Sequence, residues 1–271
     1  MFEDEGSTRV KLGIALSLLV VAAAALSFVW LPHDPTEIDI LHRLAGPSPE
    51  HLLGTDAFGR DVLSMILAGA RVSLGVGLAA VAAGLIVGVA FGLLAACLGG
   101  WLDEAVMRLS DLAFAFPAVL SAILVTAVWG PGAVNAVIAI AVFNVPVFAR
   151  LARGAALAVM ARDFVRAARA LGQSEAGIAL GHVLPNIAGL LAVQGSIQFA
   201  LAILAEAGLA YLGLGTQPPS PSWGRMLFEA QSYLGAAPLG AVFPGAAIML
   251  AVLGFSRLGE GLRGRFTGER V

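Results

Sequence analysis

Long apolar runs, separated by short polar stretches, make up most of this 271-residue chain. Neither the alternation of a half-buried strand nor the narrow stripe of a surface helix dominates the pattern. Six runs approach the roughly 20 residues that a helix needs to cross a bilayer. They cover 12–31, about 72–98, about 112–129, 133–151, 187–212 and 239–255. The second is punctuated by Gly75, Gly77, Gly84, Gly88 and Gly92, small residues that let helix backbones approach closely in lipid. The third ends at "WGPG", a turn by its glycines and proline. Asn144 and Pro146 interrupt the fourth, where a proline kinks a membrane helix and either shapes it or helps a pathway open. The predicted fold is all-α: a polytopic membrane protein with six transmembrane helices.

Composition strengthens this reading. Hydrophobic residues make up 59% and charged residues 13%, against about 25% charged in soluble domains, and mean hydropathy is +0.89. A net charge of -2 gives no footing for nucleic-acid binding. The single Cys97 excludes an intrachain disulfide and a cysteine-based zinc site. The first run is longer than a signal-peptide core, and "LPHDPTE" after it lacks a small-x-small cleavage site, so an uncleaved first span is expected.

Charge then sets the orientation. Fifteen of the sixteen basic residues are arginines. Six spans place both termini on one side. The segments on that side hold Arg9, Lys11, Arg108, Arg150, Arg153, Arg162, Arg166, Arg169, Arg257, Arg263, Arg265 and Arg270. Opposite them lie Arg43, Arg60, Arg71 and Arg225, and the first loop also carries Asp34, Glu37, Asp39, Glu50, Asp56 and Asp61. The positive-inside rule makes the termini cytoplasmic.

One basic segment stands out, "MARDFVRAARALGQSEAGIALGHVLPN" at 160–186. Helical spacing puts Phe164, Ala167, Ala168 and Leu171 on one face and Arg162, Arg166 and Arg169 on the other. Asp163 is a candidate N-cap, Gly172 a stop, and a second short helix from Ser174 should end at Pro185. Such a pair either lies on the anionic leaflet or fits a groove on another protein. Its small-residue face suits the groove better.

Elsewhere, Glu206 is an ionisable residue inside the fifth run, with Gln194 and Gln198 near its face. They are candidates to line a polar translocation path, or Glu206 pairs with a neighbouring subunit and orients helices. "GTDAFGRD" fits no calcium-loop spacing and reads as a turn capping the next helix. His33, His42, His51 and His182 are scattered along the chain, so no metal site is expected. The external loop "QPPSPSWG", with Pro218, Pro219, Pro221 and Trp223, is stiff enough to offer a docking surface, and Trp223 also suits an interfacial anchor. No G-x-S-x-G, H-E-x-x-H or phosphate-binding loop is present, and the only lysine, Lys11, lacks the glycine frame of such a loop.

"AARALG", nine residues and then "HVLP" resemble the cytoplasmic EAA loop of ATP-binding-cassette importer permeases. With "HLLGTDAFGRDVLS" (51–64), "GGWLDEAVMRLSDLAFAFP" (99–117), "ILAEAGLAYLGLG" (203–215) and "QPPSPSWGRML" (217–227), the chain resembles the C-type permeases of the dipeptide, oligopeptide and nickel importer family. The resemblance implies an N-terminal span and external loop (1–71) and a permease core (72–271). It also implies a coupling helix between spans 4 and 5 that inserts into an ATPase cleft. Ala167, Ala168, Gly172 and Pro185 fall on motif positions, while Arg166 stands where the motif has glutamate. The partners so implied are a homologous second permease, two ATPases carrying ATP and Mg, an external solute-binding protein and membrane lipid. No cofactor is expected on this chain itself, and no enzyme activity. The implied role is alternating-access import of di- or oligopeptides across the bacterial inner membrane, with nickel or a nickel chelate as the alternative. Two readings of other classes stay open: an ion-gradient-driven secondary transporter, which should show repeated broken helices with mid-membrane charges, and a membrane scaffold.

Overall fold

A computed structural model describes the backbone of residues 2–267, and side chains of 10–263 save 118 and 119. Arg9, Arg265 and Arg270, which entered the charge count, lie outside the described side chains. Ten α-helices account for nearly all of the fold: α1 (Phe2–Leu26), α2 (Val62–Leu98), α3 (Gly100–Ala115), α4 (Ala118–Trp129), α5 (Ala133–Met160), α6 (Asp163–Ala170), α7 (Glu175–Ile178), α8 (Leu184–Tyr211), α9 (Trp223–Ala230) and α10 (Leu239–Thr267). Among the described residues there is no strand, only one isolated bridge between Thr55 and Asp61.

Among the described residues, four helical stretches are long and apolar enough to cross a membrane: α2, α5, residues 175–211 and α10. A fifth arises if α3 and α4 count together, but they meet at 92°. The third run is therefore not the straight span its hydropathy predicts. Phe116 sits before Pro117, whose ring disfavours helical backbone in the preceding residue, and Phe116 is extended at φ -101°, ψ 135°. α1 ends at Leu26, five residues before the apolar run does, leaving an apolar portion of 10–26. α2 begins at Val62, so the 71/72 division expected from the sequence falls inside a helix. Large apolar side chains such as Leu18, Leu19, Ile86, Leu124 and Val128 point outward, as a lipid-facing belt requires.

The glycines of α2 decide the tightest seam. A Cβ on Gly84 would meet Asn144 Cβ at 2.4 Å, one on Gly88 the Val145 carbonyl at 2.5 Å, and one on Gly92 the Ala149 carbonyl at 2.5 Å. Because contact positions rise together, α2 and α5 run parallel, with backbones nearly touching. α1 and α10 form a second close pair in the opposite sense: Gly13 lies against Arg257, Gly254 against Ser17 and Gly261 against Val10. Phe199 of α8 meets Phe255 of α10 edge-on at 4.5 Å.

These directions give the bundle two distinct ends. One carries the starts of α1 and α8, the finishes of α2, α5 and α10, and the α6–α7 pair. The other carries residues 27–61, the 130–132 turn and 212–238. Pro146 stays within α5. Its missing N–H leaves no break, and the neighbouring Asn144 side chain donates back to Ile140 O at 3.1 Å.

Candidate functional site

At the first end, α5 runs nine residues beyond its expected stop and turns sharply at Ala161 into α6. Arg162, not Asp163, occupies the N-cap; Asp163 lies in the first helical turn, where a carboxylate suits the exposed N–H groups. Gly172 at φ +82° reverses the chain, and Gln173 N–H closes on Ala168 O at 3.2 Å. Ser174 Oγ caps α7 through Gly177 N–H at 3.1 Å. Arg169 grips Glu175 with two bonds, 2.6 and 2.9 Å, tying α6 to α7.

The apolar face expected on α6 is split by this packing. Val165 and Ala168 turn inward and are buried. Phe164 is 41% and Leu171 85% exposed, and Ala167 is exposed beside them. Arg166 is exposed too, pairing with its own Asp163 at 3.4 Å. Pro185 does not end the second helix. A π-helical turn, Ala179–Val183, leads directly into α8, and Pro185 falls in its first turn, where the missing N–H costs nothing.

Midway along the bundle, α4, α5 and α8 enclose a cavity of about 380 Å3. Its walls are apolar save for two side chains, Asn144 and Gln198. Gln198 Nε2 donates to Asn144 Oδ1 at 2.6 Å, linking α5 to α8. Leu201, Leu204 and Leu212 form one lip and are each about half exposed (53%, 53% and 51%), so the hollow opens sideways from the chain. Of the three residues singled out for a polar path, only Gln198 lines this cavity; Gln194 is half-buried outside it. Asn144, read from sequence as part of a kink, is the second polar wall. Its i−2 placement before a proline hid that role.

Glu206 is elsewhere. Fully buried, it sits where α8 meets α2 and α9, with the hydroxyls of Ser73 and Ser222 flanking its carboxyl, though neither oxygen completes a hydrogen bond among the described residues. It neither lines the cavity nor reaches the surface to pair with another subunit. Trp223 is no surface anchor either. It is 2% exposed, its Nε1 donating to Ile66 O at 3.0 Å. Pro221 is buried with it, which leaves Pro218, Pro219 and Ser220 as the exposed part of the loop.

The bundle thus carries an apolar hollow open to the side and a short helix pair at one end. A family model, "Binding-protein-dependent transport system inner membrane component", matches residues 88–264. The chain belongs to that family. The dipeptide transport system permease protein DppC of Alkalihalophilus pseudofirmus is 42% identical over 257 residues, covering 93% of this permease and 84% of that protein. The glutathione transport system permease protein GsiD of Pectobacterium atrosepticum is 42% identical over 260 residues, covering 94% and 86%. Among solved structures, a chain of the MetNI methionine ABC transporter, seen in inward facing conformations, superposes with a TM-score of 0.58 at 17% identity, covering 73% of this permease and 96% of that chain. That likeness shows the fold. The permease is a multi-pass membrane protein and a transporter component, not an enzyme.

Proposed function

We propose that this permease moves di- or oligopeptides across the bacterial inner membrane by alternating access, as one half of a two-permease pathway driven by separate ATPases. In this reading six spans cross the bilayer, with α1 and the bent α3–α4 pair completing the set, and both termini and α6–α7 are cytoplasmic. Residues 72–271 form the transport core and 1–71 its N-terminal span and external loop. A homologous second permease closes the open side of the cavity, placing Asn144 and Gln198 on the shared path. Gln194 has no evident place on it, and Glu206 acts as a buried strut. Pro218 and Pro219 offer the external binding protein its docking edge. ATP and Mg belong to two cytoplasmic ATPases.

The observation that carries this reading is the outward triplet formed by Phe164 and Ala167 on α6 and Leu171 at its C-cap. An 85% exposed leucine capping a short helix that is clasped by Arg169–Glu175 and turned by Gly172 is a rigid plug for another protein's groove. A membrane-surface helix would present more than two large apolar groups. Arg166 beside the triplet asks for a partner cleft that tolerates positive charge.

The test is native purification from the source cells with a C-terminal tag, comparing wild type with Leu171→Glu. Leu171 touches little within the chain, so its variant keeps the fold. Ala168 is packed inward and would confuse the result. A Walker-motif ATPase that co-purifies with wild type, is lost with Leu171→Glu and is accompanied by loss of labelled-dipeptide uptake supports the proposal. A chain that purifies alone, or a variant that imports dipeptide normally, overturns it.

A further inference from the structure

The loop end brings together residues that the sequence keeps apart. His33 follows α1, His51 lies in the middle of the 27–61 loop, and Asp61 caps α2. One ligand atom from each falls within 4.8 Å of the others. His51 Nδ1 is 3.0 Å from Asp61 Oδ1, and His33 Nδ1 is 3.8 Å from Asp61 Oδ2. The two imidazoles lie 4.7 Å apart with a 37° tilt. We infer that His33, His51 and Asp61 form a binding site for a borderline divalent transition-metal ion, of which Zn2+ is the type, that ties the external loop to the head of α2.

Three features go beyond a chance meeting of side chains. First, His33 Nδ1 is buried and has no hydrogen-bond partner, although it points at a carboxylate. A histidine–aspartate hydrogen bond accounts for His51 but leaves that nitrogen unexplained. Second, the ligands are oriented from behind. Ser64 N–H and Oγ donate to Asp61 Oδ2 at 2.8 and 2.7 Å, and Ser64 Oγ also accepts from His33 N–H at 3.0 Å. Outer hydrogen bonds of this kind hold the donor atoms of metal sites in place. Third, the group opens into a pocket of about 360 Å3 whose other walls include Asp34, Glu37, Asp39 and Glu50, with no lysine or arginine among the lining residues. Such a hollow concentrates cations.

The donor set selects the metal. Two imidazoles and one carboxylate suit zinc and its neighbours, whereas magnesium and calcium want oxygen alone. With metal–ligand bonds of about 2.0–2.2 Å in a tetrahedron, donors sit roughly 3.3 Å apart. The three donor atoms now lie within 4.8 Å of one another, with His51 Nδ1 3.0 Å from Asp61 Oδ1 and His33 Nδ1 3.8 Å from Asp61 Oδ2, so the side chains must draw inward to close round an ion. A fourth position faces the pocket and water. His42 stays outside the group, held by its own Asp39 at 2.6 Å. The site lies away from the cavity and from α6, so it stands whether or not the transport reading does.

The test uses the full-length chain, purified in detergent with no polyhistidine tag and stripped with a chelator. Zn2+ binding is measured by competition with a chromophoric chelator and metal analysis after dialysis, for wild type, His33→Gln, His51→Gln and His42→Gln. One Zn2+ per wild-type chain is expected, resistant to millimolar Mg2+, with affinity falling about tenfold or more in His33→Gln and His51→Gln and unchanged in His42→Gln. Zinc should also slow protease cleavage between α1 and α2 in wild type and His42→Gln, but not in His33→Gln or His51→Gln. Substoichiometric zinc on wild type, displacement by Mg2+, or equal binding by all three variants overturns the site. The wild-type stoichiometry decides the matter even if a variant misfolds.

Discussion

The two ends of this permease solve the same problem in opposite ways. Both must hold a polar segment outside a bundle of apolar helices. The loop end folds inward on itself: Asp61 caps α2, Asp56 accepts from Phe58 and Arg60 N–H groups, and Arg60 spans Asp56 and Glu229 of α9 with all three side chains at most 17% exposed. The α6 end holds its shape with fewer and more exposed ties and turns apolar side chains outward. Arg169 and Glu175 are 45% and 39% exposed, and Leu171 is almost bare. The loop end ties most of its charged side chains to one another. The α6 end leaves Phe164 and Leu171 exposed.

Glycines test this contrast most severely. Gly59 and Gly172 share a left-handed backbone, φ +79° and +82°. A Cβ on Gly59 would lie 1.7 Å from the Asp39 carbonyl, whereas one on Gly172 meets nothing within 4 Å. Gly59→Ala should therefore destabilise by more than about 3 kcal/mol, combining strain with a backbone clash. Gly172→Ala should cost only the left-handed penalty, about 1–2 kcal/mol. Thermal unfolding in detergent reads both, and equal losses would erase the distinction. A smaller effect separates the ion pairs. Glu229→Gln strands a largely buried Arg60 with Asp56 alone and should cost about 1.5–3 kcal/mol. Glu175→Gln breaks an exposed pair and should cost below about 1 kcal/mol.

The sequence exposed one of these ends far better than the other. Helix spacing around Ala167 and Ala168, followed by Gly172, is a local pattern, so α6 could be read directly, although not which side Val165 would bury. The break at Pro117 was also local, yet uninterrupted hydropathy masked it. By contrast, the meeting of His33, His51 and Asp61 depends on how a 35-residue connection, 27–61, folds back. No periodicity records that. Trp223 misled for the same reason: an aromatic beside prolines looks exposed until α9 is seen packing into the α2–α8 junction, where Glu206 is buried as well. Asn144 and Gln198, 54 residues apart, became neighbours only through helix packing.

Acidity gives the gentlest separation of the two ends. His42 Nδ1 and Asp39 Oδ2 lie 2.6 Å apart in the exposed turn after Asp39. The hydrogen bond to Asp39, helped by that carboxylate's charge, raises the His42 pKa above its ordinary value, and the same bond lowers that of Asp39. A raised histidine value means the folded turn holds the proton more tightly than the unfolded chain does. Its contribution is full below the ordinary histidine value and fades as pH climbs through the raised one. The lowered Asp39 value sets the other limit: that contribution is present above the ordinary carboxylate value and is lost as pH falls through the depressed one. Leu41 N–H, bonded to Asp39 Oδ1 at 3.1 Å, reports on this turn. After correction for intrinsic rates, its hydrogen exchange should quicken slightly as pH rises across the range where histidine titrates, about pH 5–8. Gly177 N–H at the α6 end is capped by a serine hydroxyl, which does not titrate there, and should show no such trend. His42→Gln should flatten the Leu41 profile. If Leu41 in that variant still follows pH as wild type does, the pair is not what holds the turn.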